Sequence, residues 1–133
     1  PALTLDNLSG GRISLSDDAG RAVLLNFWAA WCAPCVEEMP LLAGAAAQYE
    51  GQGLAVVLVD VGEEVGVVRD FVDERGLELP VALDMNNETS YVYRVTGYPT
   101  SVLIDDQGRV VDVHRGVFTD GAVLRQELTQ ILP

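Results

Sequence analysis

Two runs of this chain are almost unbroken in apolar residues: Ala22-Val23-Leu24-Leu25-Asn26-Phe27-Trp28 and Leu54-Ala55-Val56-Val57-Leu58-Val59. Runs without polar alternation suit strands covered on both faces rather than half-exposed ones. Segments with helical periodicity lie around them. Cys35 to Tyr49 is rich in Ala and Leu, and Val65, Val68, Phe71 and Val72 recur at helix spacing before a stop signal at Gly76. Asn87 to Arg94 is a short helical candidate. Leu124, Leu128, Ile131 and Leu132 fall on one face of a terminal helix that Thr119 or Asp120 can cap. Leu3 to Leu15 reads as a short β lead-in with a Gly10-Gly11 turn. Ser101 to Ile104 and Val110 to Val113 flank Asp105-Asp106-Gln107-Gly108-Arg109, a hairpin signal. The order β-β-α-β-α-β-α-β-β-α predicts an α/β sheet with helices on both faces, parallel in part and antiparallel at one edge.

At 133 residues, with no internal repeat and no dividing linker, residues 1–133 read as one domain. The charge is uneven: 8 Arg and no Lys stand against 20 Asp plus Glu, a net charge of −12. That balance argues against nucleic acid, whose phosphates need a basic face, and against docking on anionic lipid through a basic patch. The charge-free stretch Ala22 to Val36 is broken by Asn26 and Pro34 and is shorter than the ~20 residues of a membrane span. The chain starts at Pro1, so a removed initiator Met and a removed leader or anchor are both compatible with it. Two cysteines cannot build a disulfide scaffold. Together with the one histidine, His114, they fall short of a four-ligand zinc site.

The chemistry concentrates at Trp31-Cys32-Ala33-Pro34-Cys35. Two cysteines at this spacing close a small ring, and they fall where an apolar strand ends and a helix begins. The first then sits at a helix N-terminus, where free N–H groups and the helix dipole favour a thiolate. Cys32 is therefore assigned as the attacking thiol. Cys35, one turn further and shielded, resolves the mixed disulfide. Pro34 is tolerated in the first turn, and Pro40 inside the helix should kink it. Trp28 is expected to shape the floor of the site, and Trp31 to be partly exposed for substrate. Glu37 and Glu38 read as a solvated helix face, and His114 as an ordinary sheet residue.

These residues resemble the thioredoxin superfamily, and within it the extracytoplasmic thiol-disulfide oxidoreductases of the TlpA/ResA type. The resemblance is carried by Asn26-Phe27-Trp28-Ala29-Ala30-Trp31-Cys32-Ala33-Pro34-Cys35 with Glu37-Glu38-Met39-Pro40, by Val59-Asp60-Val61-Gly62-Glu63, and by Gly97-Tyr98-Pro99-Thr100-Ser101-Val102-Leu103-Ile104-Asp105 with Gln107-Gly108. The lead-in Leu3-Thr4-Leu5-Asp6 through Ile13-Ser14-Leu15 matches as well. The resemblance implies a thioredoxin-like fold: a central mixed sheet flanked by helices, with an N-terminal β lead-in and an added β-α insertion within Leu54 to Pro80. It implies a cis Pro99 beside the disulfide, with the Tyr98 backbone offered to an extended substrate and its ring walling the groove. Cytoplasmic thioredoxins carry a buried Asp where this chain has Asn26. In the TlpA/ResA-like group a Glu after the third strand takes a comparable place, and Glu63 matches it. A carboxylate there can accept the Cys35 proton during resolution. Glu64 reads as surface.

The expected activity is disulfide reduction in protein substrates through the Cys32-Cys35 dithiol. No cofactor beyond that redox pair is implied. The substrates implied are those of cytochrome c maturation or metal-site assembly, with a separate electron donor, an extracytoplasmic location and a monomeric state. Two alternatives stay open. A copper-binding module on the same fold would want a third ligand such as His114. Copper-handling relatives, however, use a wider cysteine spacing. A thiol peroxidase shares the lead-in pattern but typically sets its cysteine after Thr/Ser-x-x, where this chain has Ala29. Dithiols on this fold span about −270 to −120 mV, so the spacing leaves the direction of electron flow open.

Overall fold

Both apolar runs become central strands of one sheet. A computed structural model describes residues 4–18 and 20–133. Leu3, where the expected lead-in begins, lies outside the described residues. Strands β1 (Thr4–Asn7), β2 (Arg12–Ser14), β3 (Ala22–Trp28), β4 (Leu54–Val61), β5 (Val81–Asp84), β6 (Thr100–Ile104) and β7 (Val110–Arg115) form a 7-stranded sheet in the order β2-β1-β5-β4-β3-β6-β7. Helices α1 (Ala33–Tyr49), α2 (Val65–Arg75), α3 (Glu88–Val92) and α4 (Gly121–Leu128) connect or follow them.

β3, β4 and β5 run parallel, with Leu25 opposite Val57 and Val59 opposite Ala82. β6 is antiparallel to β3, and β7 to β6. The sequence predicted one antiparallel edge, but the sheet has two. The lead-in folds into a hairpin, β1–β2, which pairs antiparallel with β5 at the far edge. The hairpin closes through Gly10 and Gly11 at φ 107° and 70°, a region open to glycine without a Cβ penalty. A helix sits between successive parallel strands because a parallel return needs a crossover.

The two faces of the sheet bury different side chains. Ala22, Leu24 and Trp28 of β3 pack with Leu54, Val56 and Leu58 of β4 beneath α1, α2 and α4, whose Leu42, Val68, Phe71, Leu124 and Leu128 are buried there. Val23, Leu25 and Phe27 turn to the other face with Val57, Val59 and Ala82. Tyr93, which ends α3, and the partly buried Leu5 and Leu15 cover part of that second face. Helix boundaries follow local chemistry. Gly76 ends α2 in the left-handed region at φ 57°, as its sequence position predicted. Asp120, not Thr119, caps α4, accepting from Ala122 N–H at 2.8 Å. α1 starts at Ala33, capped by Cys32, and carries Pro40 in its interior.

The C-terminal ends of β3, β4 and β5 and the start of β6 lie at one end of the sheet. That end gathers Trp31-Cys32, Gly62-Glu63, Met85-Asn87 and Tyr98-Pro99. Loops at the C-terminal ends of parallel strands are where open α/β sheets place their sites.

Candidate active site

Cys32 and Cys35 are joined as a disulfide with Cα atoms 5.3 Å apart. Cys32 is the N-cap of α1, in extended backbone at φ −89° and ψ 101°, and its Sγ accepts from Cys35 N–H at 3.3 Å. An N–H of the first helical turn thus points at the sulfur that would carry negative charge after reduction. Cys32 retains 5% exposure and Cys35 none. The more accessible sulfur is the one at the helix cap, which is the asymmetry an attacking and a resolving thiol require.

Aromatic residues frame the pair. Trp28 is fully buried and packs on Phe71 with ring centroids 5.1 Å apart, forming the floor beneath the motif as predicted. Trp31 is 69% exposed and meets the half-buried Tyr98 edge-on at 5.8 Å. The Tyr98–Pro99 peptide is cis. Pro99 is buried and its carbonyl accepts from Gly116 N–H at 2.9 Å, tying the loop to the end of β7. A cleft of about 160 Å³ opens beside Tyr98 and Pro99 and is bordered by Arg115.

Three carboxylates lie beneath or beside this surface. Glu63 is half-buried, and its Oε1 accepts from Ala30 N–H at 2.7 Å, next to Trp31. Glu38 overturns its sequence reading as a solvated residue: it is only 3% exposed, whereas Glu37 is exposed. On α1 it belongs to the inward stripe Cys35, Glu38, Met39, Leu42, Ala45 and Tyr49, whose 3- and 4-residue spacing signals burial. Asn26 Nδ2–H donates to Glu38 Oε1 at 2.9 Å and Phe118 N–H to Oε2 at 2.7 Å. Burial pushes the Glu38 carboxyl above its usual range, while these two donors and nearby His114 pull the other way. Asn26 also donates to Ser101 Oγ at 3.0 Å, so the amide pins α1 to β3 and β6.

Asp60 had no role in the sequence reading. The apolar run was expected to end at Val59, but β4 continues to Val61 and takes Asp60 into the core. It is 1% exposed, and neither carboxyl oxygen has a hydrogen-bond partner among the described residues. Burial first, and the adjacent Glu63 carboxyl second, push it up to about 8. Tyr98 is raised as well, by burial and then by the charges of Asp84 and Asp60. Asp84 is occupied: it accepts from Thr89 N–H and Ser90 N–H at 3.2 and 2.9 Å, holding the start of α3.

His114 lies on β7 with both ring nitrogens engaged, Nδ1 with Glu127 at 3.2 Å and Nε2 with the Val117 carbonyl at 3.2 Å. Its ring stacks on Phe118 at 3.9 Å. It is a packed sheet residue, as predicted. No helix among the described residues is long and apolar enough to cross a membrane.

With this geometry in hand, the likeness to known proteins decides the family. The AhpC/TSA family model matches residues 1–113. The thiol-disulfide oxidoreductase ResA of Bacillus subtilis is 38% identical over 92% of this chain and 69% of its own length. A chain from Chlorobium tepidum described as thiol:disulfide interchange protein DsbE superposes with a TM-score of 0.93 at 35% identity, over 100% of this chain and 94% of that one. A secreted thiol-disulfide isomerase from Corynebacterium glutamicum superposes at 0.87 with 28% identity, over 98% and 84%. The chain belongs to the AhpC/TSA family, among its ResA-type thiol-disulfide oxidoreductases.

Membership gives the Cys32–Cys35 disulfide its meaning as the oxidised half of a redox couple acting on protein thiols and disulfides. The mixed seven-stranded sheet with four helices is the thioredoxin-like fold, and the span Leu54 to Pro80, where a β-α insertion was expected, holds β4 and α2. Sequence reading had located the motif, Glu63, Trp31, Tyr98 and Pro99, and the structure brings their segments to one end of the sheet. It missed Glu38 and Asp60. The helical stripe could have revealed the first. For the second the only signal was an acid inside an apolar run.

Proposed function

We propose that the chain reduces disulfides of protein substrates, with Cys32 as nucleophile and Cys35 as resolving thiol. The observation that carries this reading is the position of the pair: Cys32 caps α1 with an N–H on its sulfur, and Cys35 is fully enclosed one turn below. In the reduced enzyme the Cys32 thiolate attacks one sulfur of a substrate disulfide and forms a mixed disulfide. The other substrate sulfur leaves as a thiolate and takes a proton. Cys35 then loses its proton, attacks Cys32, and releases the second substrate thiol. The substrate gains two electrons and two protons, and the enzyme is left as the Cys32–Cys35 disulfide. A separate dithiol donor restores it.

Trp31, Tyr98 and Pro99 form the surface on which the substrate segment lies, with the Tyr98 backbone pairing to it. Glu63, fixed by Ala30 N–H, is assigned as acceptor of the Cys35 proton. The chain works as a monomer outside the cytoplasm, and its substrates include thiols awaiting haem or metal. The ResA and DsbE likenesses and the secreted relative support this setting.

Turnover of a model protein disulfide by the cysteine variants tests the assignment. Cys32→Ser should abolish reduction, and Cys35→Ser should accumulate a mixed disulfide that resolves slowly. Glu63→Gln should slow resolution while leaving the first attack intact. A Cys32→Ser protein that reduces at the wild-type rate would overturn the reading.

A further inference from the structure

Asp60 is a buried carboxylate at this end of the sheet that the exchange chemistry does not use and whose oxygens have no hydrogen-bond partner among the described residues. Buried polar groups in folded proteins almost always find a partner, so an unpartnered buried carboxyl calls for a physical account. Its place supplies one. On β4 it is the register partner of Trp28, and it faces the same side of the sheet as Leu58, beneath α1. Three residues on, Glu63 places Oε1 on Ala30 N–H at 2.7 Å, the last backbone donor before Trp31-Cys32. The two acids therefore sit together at the end of β4, one in the core and one holding the strand-to-helix turn that carries the nucleophile.

The titratable groups around Asp60 are all acids or weak acids. Glu63 follows on its own loop and Tyr98 comes from the loop before β6, whereas Asp84 of β5 is the register partner of Val61 and faces the other side of the sheet. Glu38 comes from α1, and Cys32 and Cys35, joined as a disulfide, carry no titrating thiol in the oxidised protein. None of the groups that perturb Asp60 is a cation. Two adjacent carboxylates in low dielectric with no counter-ion do not ionise together; the pair holds one proton over a wide pH range. Asp60 is the more buried of the two, and its carboxyl is the one pushed up, by burial first and the Glu63 carboxyl second. Glu63 holds the Ala30 N–H in a short bond of 2.7 Å.

We propose that Asp60 is a positioning residue for the redox motif: in its neutral form it leaves Glu63 anchored on the Ala30 amide, and its ionisation drives Glu63 off that amide and frees the turn carrying Trp31 and Cys32. The proton leaves to bulk water. The consequence is a second pH dependence of the site, separate from that of the thiols. The proposal rests on the dithiol reading only for its effect on rate. The anchor itself is a property of the oxidised protein and is measured without substrate.

The test is an NMR titration of the oxidised wild-type protein between pH 6 and pH 10, following the Ala30 amide resonance. Ala30 should move with a midpoint near pH 8, away from its hydrogen-bonded position. In Asp60→Asn the amide should stay at the low-pH wild-type position throughout, because the neutral isostere cannot ionise. Glu63→Gln, which keeps an acceptor oxygen but no charge, should also lose the Ala30 titration and lower the Asp60 midpoint. The reduction rate of Asp60→Asn relative to wild type should rise between pH 7 and pH 9. An Ala30 resonance that titrates identically in Asp60→Asn, or that stays still while the Asp60 carboxyl ionises, would overturn the proposal. Loss of turnover in Cys35→Ser without resolution of the trapped species bears on the dithiol reading and not on this one.

Discussion

Glu38 and Asp60 are both buried acids beneath the same redox motif, and their surroundings are opposite. Glu38 sits on α1 between two donors, Asn26 Nδ2–H and Phe118 N–H. Asp60 sits on β4 with no partner and a neighbouring carboxyl. A carboxylate is an acceptor only, so two fixed donors favour the charged form of Glu38 and partly offset the cost of burying it. For Asp60 only the Glu63 backbone N–H works against that cost, and burial with the Glu63 carboxyl outweighs it, so its carboxyl is pushed up. The first acid binds three elements together; the second is neutral until the solution is alkaline. Two residues of similar burial thus become a structural clasp and a titrating group, and the difference lies in which backbone and amide donors face them.

Glu38→Ala should have the largest effect. It strands two buried donors and should destabilise the oxidised protein by about 3 kcal/mol, read from the denaturant midpoint. A loss no greater than that of an exposed substitution such as Glu37→Ala would break the comparison. Asn26→Asp should come next. It replaces a donor with a second carboxyl 2.9 Å from Glu38 Oε1, turning the clasp into an Asp60-like pair. The expected cost at pH 7 is about 2 kcal/mol, shrinking in acid as the pair takes up a proton. A cost that does not change with pH would show that lost packing, not charge, is responsible.

The third effect is a gain that depends on pH, and its sign follows from the raised position of Asp60. Between its ordinary value of 3.8 and about 8, the folded protein holds a proton that the unfolded chain has lost. Stability from this group therefore falls as pH rises through that window and is level above it. Asp60→Asn removes the slope. Its stability relative to wild type should increase steadily from pH 4 to pH 8 and change little above that. A difference between the two proteins that stays constant over this range would place Asp60 among ordinary, unperturbed acids.

Much of this molecule was legible before any coordinate. The runs Ala22–Trp28 and Leu54–Val59 specify buried parallel strands because only strands covered on both faces tolerate continuous apolar sequence. Gly76 and Asp120 mark helix ends through local backbone chemistry. The two cysteines sit at a strand-to-helix junction, so the place of Cys32 at the helix N-terminus was readable from the sequence. The second antiparallel edge was not legible, since pairing of the lead-in hairpin with β5 is a contact between segments far apart in sequence. Local pattern carries no information about which strand a hairpin will find.

The sequence by itself determined where the chemistry is: the Cys32-x-x-Cys35 pair, the frame of Trp31 and Tyr98-Pro99, and the strands and helices that carry them. Only the tertiary structure decided which acids are buried beneath that motif and which donors face them. A glutamate one turn past Cys35 reads as solvent-facing until Asn26 from β3 and Phe118 after β7 close on it. An aspartate just past the apolar run Leu54–Val59 stays outside that run in the sequence until β4, paired on both sides by β3 and β5, carries it into the core. Charge state depends on the donors and dielectric that other segments bring. Those are properties of the assembled core and not of any stretch of chain.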